Sequence, residues 1–242
     1  MDTAGISEQK DFYDRYWQGM KPLGRYKLMR AQWIANTLQK LCRQSAGNEF
    51  KLLDLGCGDG RLAPFWQLVT GARTYALDLS PMAVKNAQQL FPSIIYCEGD
   101  ATHTPYEDEM FDIVVCQEVL EHIEQQHLLV KEAARILQKK GKLILTTPNK
   151  FYFDHRNGGN YSQQPIEQLI DKADLLQFLR PFFNILSFET LIYAKGDSGV
   201  YRFLTNRYWL ALLRKSHLDA WWKNLMLKRG YGLHMAVVCE KR

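Results

Sequence analysis

The sequence predicts an α/β fold in which helices cover both faces of a mostly parallel sheet. Short apolar runs alternate along the chain with longer stretches of helical spacing. The runs are apolar throughout rather than alternately apolar and polar, as in strands that are buried on both faces. The chain has 242 residues, of which 46% are hydrophobic and 24% charged, so it can bury a full core.

The first part of the predicted sheet contains four strands with helices around them. A helix precedes them over residues 26–44, where apolar residues recur at helical spacing. Further helices are predicted over 61–69 and 82–90, the second with Ser80 as N-cap and Pro81 at its first position. The four predicted strands cover residues 50–55, 74–79, 94–97 and 111–116.

The second part of the chain begins with the same alternation and then becomes less regular. A helix over residues 126–138 leads to a fifth strand over 141–147, which Pro148 ends. The remaining predictions are a loop over 151–164, a helix over 165–179, strands over 183–193 and 233–239, and helices between those two strands over 200–230.

The cysteines, the N-terminal residues and the lengths of the apolar runs argue against several classes of protein. Five cysteines, an odd number with no CxxC pair, argue for a reducing compartment and against a zinc ribbon. Residues 1–9 contain no apolar core for a signal peptide. No apolar run approaches the ~18 residues that a membrane span needs. We therefore expect a cytoplasmic protein.

The net charge of +5 is concentrated in residues 200–230, here called the basic aromatic segment. This segment holds seven basic residues, one acid and six aromatic residues, so the rest of the chain carries a charge of −1. Such helices can lie on anionic membrane surfaces. They can equally form a lid over an apolar ligand, a dimer contact or a plain helical cover for a sheet edge. No nucleic-acid-binding module is recognised, so we expect no nucleic-acid partner.

A glycine-rich turn, LLDLGCGDG over residues 52–60, follows the first predicted strand. Glycines there let the backbone turn tightly and let a ligand approach the main chain. Asp78 ends the second strand, where a carboxylate can accept hydrogen bonds from both hydroxyls of a ribose. Because parallel strands end at one edge of the sheet, the turn and the acid together predict a site for an adenosine-containing ligand.

The glycine spacing and the flanking acids favour a cationic ligand over a dinucleotide. The glycines follow GxGxG rather than the dinucleotide pattern GxGxxG, and Arg61 stands at the next position. The carboxylates of Asp54 and Asp59 would repel a pyrophosphate but suit an ammonium or sulfonium group. This chemistry indicates S-adenosylmethionine rather than NAD, and an NAD-dependent oxidoreductase is the less favoured alternative.

Four motifs resemble those of the class I S-adenosylmethionine-dependent methyltransferases. They are LLDLGCGDG, YALDLSPMAV, GDATHTPYEDEMFDIVVCQEVLEHI and GKLILTTPN, in the order of the family over residues 50–150. EVLEHI and TTPN are most similar to small-molecule O-methyltransferases, which include ubiquinone-biosynthesis enzymes and sugar or lipid methyltransferases. The resemblance implies a doubly wound, Rossmann-like, seven-stranded sheet that is mostly parallel with an antiparallel last strand. The roughly 30-residue insertion before that strand departs from the family pattern.

This resemblance implies one methyltransferase domain over residues 1–242. Residues 1–48 would form an N-terminal helical cap, residues 49–150 the cofactor-binding core, and the basic aromatic segment an insertion. The implied activity is methyl transfer from S-adenosylmethionine to a small-molecule, sugar or lipid-linked acceptor, with oxygen favoured as the acceptor atom. A non-catalytic S-adenosylmethionine-binding protein is the main alternative. Peripheral membrane contact through the basic aromatic segment would fit a lipid-linked acceptor.

The resemblance also implies which residues bind S-adenosylmethionine. Asp54 would orient the methionine amino end, Gly56 and Gly58 would let the backbone pass under the cofactor, and Asp78 would hold the ribose. The remaining implied contacts are Leu79 and Met82 on the adenine ring, Asp100 and Ala101 at the adenine amino group, Gln117 at the methionine end, and Arg25 on the cofactor carboxylate.

Methyl transfer to oxygen requires removal of a proton, and two histidines are candidates for that role. His122 follows the fourth strand, and His155 lies in the loop after the fifth, where this subgroup often binds its acceptor. Glu118, Glu121 and His122 form an ExxEH pattern whose mixed ligand types would also suit a divalent ion, but we predict no metal site.

Aromatic residues near the N-terminus form a further candidate contact. Tyr13, Tyr16 and Trp17 in DFYDRYW could attract the sulfonium by cation–π interaction. The alternative is that they belong to an amphipathic helix that only packs on the sheet.

Overall fold

A computed structural model describes residues 3–17, 22–42, 50–155 and 165–242 of the chain. Its seven strands are β1 (Lys51–Leu55), β2 (Arg73–Asp78), β3 (Ile95–Glu98), β4 (Phe111–Gln117), β5 (Leu137–Pro148), β6 (Phe183–Leu191) and β7 (His234–Lys241). Its ten α-helices are α1 (Thr3–Tyr16), α2 (Arg25–Cys42), α3 (Ala63–Thr70), α4 (Pro81–Leu90), α5 (Gln126–Ile136), α6 (Lys150–Asp154), α7 (Lys172–Leu179), α8 (Gly199–Leu204), α9 (Arg207–Lys215) and α10 (Asp219–Lys228).

The described strands form one sheet in the order β3-β2-β1-β4-β5-β7-β6. All neighbouring pairs among β1 to β5 are parallel, whereas β7 is antiparallel to both of its neighbours, β5 and β6. The order of the strands reverses between β1 and β4, which opens a crevice at their carboxyl ends. This topology confirms the predicted doubly wound sheet with an antiparallel last strand.

Strand β1 shows why the central strands of the sheet are largely apolar. Leu52 packs on one side of the sheet with Ile34 and Leu38 of α2 and with Trp66 of α3. Leu53 packs on the other side, in the cluster that includes the apolar residues of α5. Successive side chains of a strand point to opposite faces, so helices on both faces bury residues that point either way, as they do for residues 52–55 of β1.

Helix α4 begins as its sequence predicts, directly after β2. The Ser80 hydroxyl accepts a hydrogen bond from the Ala83 N–H at 3.1 Å, and Pro81 occupies the first position of the helix. The side chain of Ser80 satisfies an N–H group that has no partner within the helix. The start of α4 therefore lies beside the end of β2, at the edge of the crevice.

Two element predictions were wrong. The helix predicted over 165–179 begins only at Lys172, because the Asp171 carboxylate caps it by accepting from Ala173 N at 2.7 Å and Asp174 N at 3.0 Å. The loop predicted over 151–164 contains helix α6 at its start. The remainder of that prediction, residues 156–164, lies outside the described residues.

The basic aromatic segment is helical, as predicted, and forms α8, α9 and α10. Asn149, at the end of TTPN, holds the chain where this segment returns to β7. Its buried amide donates to the carbonyls of Gly230 at 3.0 Å and Gly232 at 2.8 Å. No helix among the described residues is long and apolar enough to span a bilayer.

Candidate active site

A cavity of about 440 Å³ opens at the carboxyl ends of β1, β2 and β4. Its volume is in the range of small-molecule sites. Among the residues predicted to bind the cofactor, those that line the cavity are Asp54, Gly56, Gly58, Asp78, Leu79, Asp100, Ala101 and Gln117. The structure thus brings together residues from three of the four sequence motifs.

Two residues predicted to bind the cofactor do not line the cavity. Arg25 is exposed at the start of α2, whereas Lys27 and Arg30 of the same helix line the cavity. Two residues along a helix correspond to a rotation of roughly 200°, so Arg25 and Lys27 point in different directions. Met82 is 38% exposed, and its backbone N–H donates to Asp14 Oδ1 at 3.1 Å.

His155 also lies outside the cavity lining. It follows α6, where its Nδ1 is 2.8 Å from the Phe151 carbonyl and its ring contacts Phe151 at a centroid distance of 4.5 Å. The Ser198 hydroxyl donates to the His155 carbonyl at 2.9 Å, just before α8. The structure therefore places His155 beside the basic aromatic segment, and its role at the acceptor stays a prediction.

Asp78 connects the end of β2 to the glycine-rich turn. Its Oδ2 accepts from Gly58 N at 2.7 Å and its Oδ1 from Ser80 N at 3.0 Å. Burial raises the pKa of Asp78, while these N–H donors act in the opposite direction. Each carboxylate oxygen accepts more than one hydrogen bond, so Asp78 can shape the turn and still receive a ligand hydroxyl.

Asp54 is a buried acid with an incomplete set of partners. Its side chain lies in the cavity wall, and its Oδ2 has no hydrogen-bond partner among the described residues. Burial raises its pKa to about 7, although the nearby Lys27 ammonium lowers it. A cationic ligand would supply the charge that this carboxylate lacks.

The two glycines of the turn make room for the cavity wall. Gly56 has a φ of 79°, and a Cβ there would lie 2.2 Å from Val119 Cγ2. Gly58 has a φ of 57°, and a Cβ there would lie 2.7 Å from the ring of Trp17. Only glycine fits both the backbone conformation and the space.

We expect Gly56→Ala to lower S-adenosylmethionine affinity at least tenfold, because Val119 must move out of the cavity wall. The matched control is Gly71→Ala. Gly71 has a similar φ of 70° but no atom within 4 Å of its added Cβ, so it tests backbone strain alone. Calorimetric titration measures the S-adenosylmethionine affinity of both variants. Equal affinities for the two variants would contradict the steric explanation.

A buried charged network lies beside the cavity and was missed from the sequence. Glu118 Oε2 is 2.8 Å from His234 Nδ1, and Glu118 Oε1 is 3.6 Å from Arg30 Nε and accepts from Thr146 Oγ1 at 3.1 Å. Burial alone would raise the pKa of Glu118, but Arg30 and His234 lower it to about 2. The sequence contained a signal for this network, because Arg30 interrupts the apolar face of α2 and His234 begins an apolar strand.

Glu121 lies near this network in a different state. It is fully buried, its Oε2 accepts from Thr147 Oγ1 at 3.1 Å, and its Oε1 has no hydrogen-bond partner in the described part of the chain. Burial and the Glu118 carboxylate raise its pKa well above the usual range. Within the described ranges, no three His, Cys, Asp or Glu side chains are grouped so that they could hold a metal ion.

His122 lines the cavity with a defined arrangement of its ring nitrogens. Its Nδ1 is 2.9 Å from the Ile166 carbonyl, which can only accept, so Nδ1 carries the proton. Burial lowers the pKa of His122, which keeps the ring neutral and leaves a lone pair on Nε2. This nitrogen lies 3.8 Å from Glu121 Oε1.

Helix α1 completes the wall of the cavity. Tyr13, Tyr16 and Trp17 all line it, as one of the two sequence interpretations requires. The Gln9 amide donates to the His122 carbonyl at 3.1 Å, and Asp14 accepts from the Ser80 hydroxyl. These contacts hold the aromatic face of α1 against the crevice.

The cavity fits S-adenosylmethionine on three observations. Gly56 and Gly58 let the Val119 and Trp17 side chains of the cavity wall lie directly against the backbone of the turn, and buried polar atoms of Asp54 and Gln117 have no partner among the described residues. The carboxyl groups of Asp54, Asp78 and Glu118 line the cavity and favour a cation. Such a set of donors and acceptors suits an amino acid joined to a nucleoside.

The chain is similar to methyltransferases of known families. Residues 53–145 match the model of the methyltransferase domain. The ubiquinone biosynthesis O-methyltransferase of Photobacterium profundum is 28% identical over 232 residues, which cover 87% of this chain and 91% of the relative. Its counterpart in Pseudomonas aeruginosa is 29% identical over 226 residues, with 87% and 92% covered. A Methanocaldococcus jannaschii protein is 33% identical over 149 residues, only 63% of its length.

Solved structures share the same fold. An S-adenosylmethionine-dependent methyltransferase from Mesorhizobium loti superimposes with a TM-score of 0.59 at 17% identity, covering 87% of this chain and 97% of that one. A chain from the complex with the Trm112 methyltransferase activator of Haloferax volcanii gives 0.63 at 19% identity, with 94% and 96% covered. The matched domain, the relatives and the motifs at the strand ends together support a class I S-adenosylmethionine-dependent methyltransferase.

Proposed function

We propose that the enzyme transfers the methyl group of S-adenosylmethionine to a hydroxyl oxygen of a small-molecule acceptor. The observation that carries this proposal is the lone pair of His122 Nε2 at the cavity wall, which can take the hydroxyl proton. The ubiquinone biosynthesis O-methyltransferase relatives support oxygen as the acceptor atom. When bound, S-adenosylmethionine supplies an activated methyl group on a positively charged sulfur.

The residues proposed to hold the cofactor act by position and charge. Asp78 receives the ribose hydroxyls, and Asp54 and Gln117 receive the amino end of the methionine part. Lys27, which lines the cavity where Arg25 does not, is proposed for the carboxylate. The other proposed contacts are Gly56 and Gly58 beneath the cofactor and Leu79, Asp100 and Ala101 around the adenine.

The contribution of the protein to the chemistry is then alignment and proton removal. Holding an acceptor and a methyl group in line can supply roughly 7–11 kcal/mol of the rate acceleration. The Ile166 carbonyl fixes the His122 tautomer, so the nitrogen without a proton is available at the cavity. Helix α1 covers the crevice and reduces the access of water.

We expect release of S-adenosylhomocysteine with hydroxyl acceptors and none with their amine analogues. His122→Asn lowers kcat by roughly 10²–10⁴, as loss of a general base does, and leaves S-adenosylmethionine affinity unchanged. His127→Asn, at an exposed position of α5, is the matched control. Release with amines alone would contradict the proposed acceptor atom. Cofactor binding without turnover of any acceptor in the panel would favour the non-catalytic alternative.

We also propose that the basic aromatic segment contacts an anionic membrane surface and that the acceptor is apolar or lipid-linked. Its helices expose large apolar side chains next to basic ones. Phe203 is 72% exposed, Tyr208 68% and Trp221 59%. Such side chains enter the acyl boundary while lysine and arginine attract anionic headgroups. The positive charge of the segment suits the anionic headgroups of a membrane, and its exposed rings suit the acyl boundary beneath them.

Vesicle co-sedimentation tests the membrane contact. We expect binding to vesicles that contain phosphatidylglycerol and little binding to pure phosphatidylcholine. Phe203→Ser with Trp221→Ser reduces binding about tenfold or more, whereas Leu68→Ser, at an 82% exposed leucine of α3, leaves it unchanged. Equal binding by all variants would contradict the proposal. So would a dimer, seen by analytical sedimentation, that covers these exposed side chains.

A further inference from the structure

Two polar atoms at the cavity wall face each other across a short gap. Glu121 Oε1 and His122 Nε2 are 3.8 Å apart, which is too long for a hydrogen bond between them. Both residues line the cavity, and no described residue gives Oε1 a hydrogen bond. A fully buried carboxyl oxygen without a partner is costly unless a ligand completes it.

The two atoms have opposite hydrogen-bonding character. His122 Nε2 can only accept, because the Ile166 carbonyl fixes the proton on Nδ1. Among the described residues, the Glu121 carboxyl has one hydroxyl partner, Thr147, and lies 3.8 Å from the His122 ring, whereas Glu118 holds the ion pairs with Arg30 and His234. Two neighbouring buried carboxyls do not both ionise readily, so the proton stays on Glu121.

We infer that Glu121 and His122 hold one hydroxyl group of the acceptor between them. Glu121 donates to the hydroxyl oxygen, and the hydroxyl proton points to His122 Nε2. Two hydrogen bonds of about 2.8 Å that meet at one oxygen reach across the 3.8 Å gap. The second lone pair of that oxygen remains free to react. This inference rests on the proposed transfer to oxygen and adds Glu121 as the residue that orients the acceptor.

The pair selects un-ionised alcohols and phenols over other oxygen compounds. An ether accepts from Glu121 but has no proton for His122. A phenolate or carboxylate also lacks that proton, and an ammonium group has no lone pair for Glu121. Sites built to bind a hydroxyl group reject analogues without it strongly, because buried polar atoms are then left unpaired. The burial that raises the pKa of Glu121 supports its role as a donor.

Phenol and anisole are the probes, because anisole keeps the ring and the oxygen but has no hydroxyl proton. The full chain is labelled with ¹⁵N-histidine, and the Nε2 resonance of His122 is followed during titration. We expect a saturable upfield shift with phenol and none with anisole. Glu121→Leu weakens phenol binding about tenfold or more, whereas Glu121→Gln, which keeps a donor, restores most of the affinity.

Controls separate this role from a structural one. Glu124→Gln, at an exposed position nearby, keeps the wild-type phenol affinity. The titrations are repeated in EDTA, and loss of the phenol shift on chelation would replace the inference with a metal-held hydroxyl. Equal binding of anisole, wild-type affinity in Glu121→Leu, or no phenol shift at His122 would overturn it. Normal calorimetric binding of S-adenosylmethionine in those cases shows that the cofactor site stands while this inference fails.

Discussion

Replacing Asp78 with asparagine lowers the affinity for S-adenosylmethionine about ten- to a hundredfold. The proposed hydrogen bonds from the ribose are charge-assisted, and each contributes roughly 1.5–3 kcal/mol. The asparagine NH₂ group would also face the N–H of Gly58 or Ser80, where the native oxygens accept at 2.7 and 3.0 Å. The expected loss therefore combines a missing contact to the ligand with a disturbed glycine-rich turn.

Calorimetry measures this effect, and two further variants separate its causes. Asp78→Ala loses the ligand contact and the bonds to Gly58 N and Ser80 N but adds no donor, so its difference from Asp78→Asn measures the repulsion between the asparagine NH₂ group and those N–H groups. Asp174→Asn, at an exposed position of α7, controls for the change of an acid elsewhere. Circular dichroism checks that each variant is folded. A dissociation constant that does not change in Asp78→Ala would disprove the proposed position of the ribose.

Affinity for S-adenosylmethionine rises with pH up to about 7 because Asp54 must ionise to attract the cofactor ammonium. Burial raises the pKa of Asp54 to about 7 in the free protein, so most of it is protonated below that pH. A bound cation favours the carboxylate and lowers this pKa. As the pH rises toward 7, the dissociation constant should fall by up to about tenfold per pH unit, and above pH 7 it should become constant.

Titrations between pH 5.5 and 7.5 test this dependence against Asp54→Asn. The amide cannot ionise, so the variant should bind weakly with little pH dependence. The other charged groups that face Asp54 are Lys27, Asp59 and Asp78, and they are the same in both proteins. A wild-type dissociation constant that does not vary over this range, or a variant with the same slope, would contradict the assigned role of Asp54.

The part of the site that sequence could predict is the part that local motifs build. Asp54, Gly56 and Asp78 each lie within one residue of the end of an apolar strand, and parallel strands end at a common edge. Their meeting at one cavity therefore follows from strand direction alone. The cap at Ser80 was predictable for the same reason, since its signal lies within a few residues.

The parts that sequence could not predict depend on helix rotation and on distant contacts. Arg25 and Lys27 lie on different sides of α2, and a sequence motif does not define how that helix is rotated about its axis. The network of Arg30, Glu118 and His234 joins a helix, the end of β4 and the start of β7, which are separated by 88 and 116 positions in the numbering. No local pattern contains such a contact.

The place of β7 between β5 and β6 has a consequence for synthesis of the protein on the ribosome. Among the described strands, β5 pairs with β4 and β7, whereas β6 pairs with β7 alone, so until residues 234–241 have left the exit tunnel β5 has one unpaired edge and β6 has no partner. Unpaired edges recruit other strands, which makes the nascent chain a substrate for chaperones. His234 arrives with the same strand, so its ion pair with Glu118 beside the cavity forms only after β7 is in place.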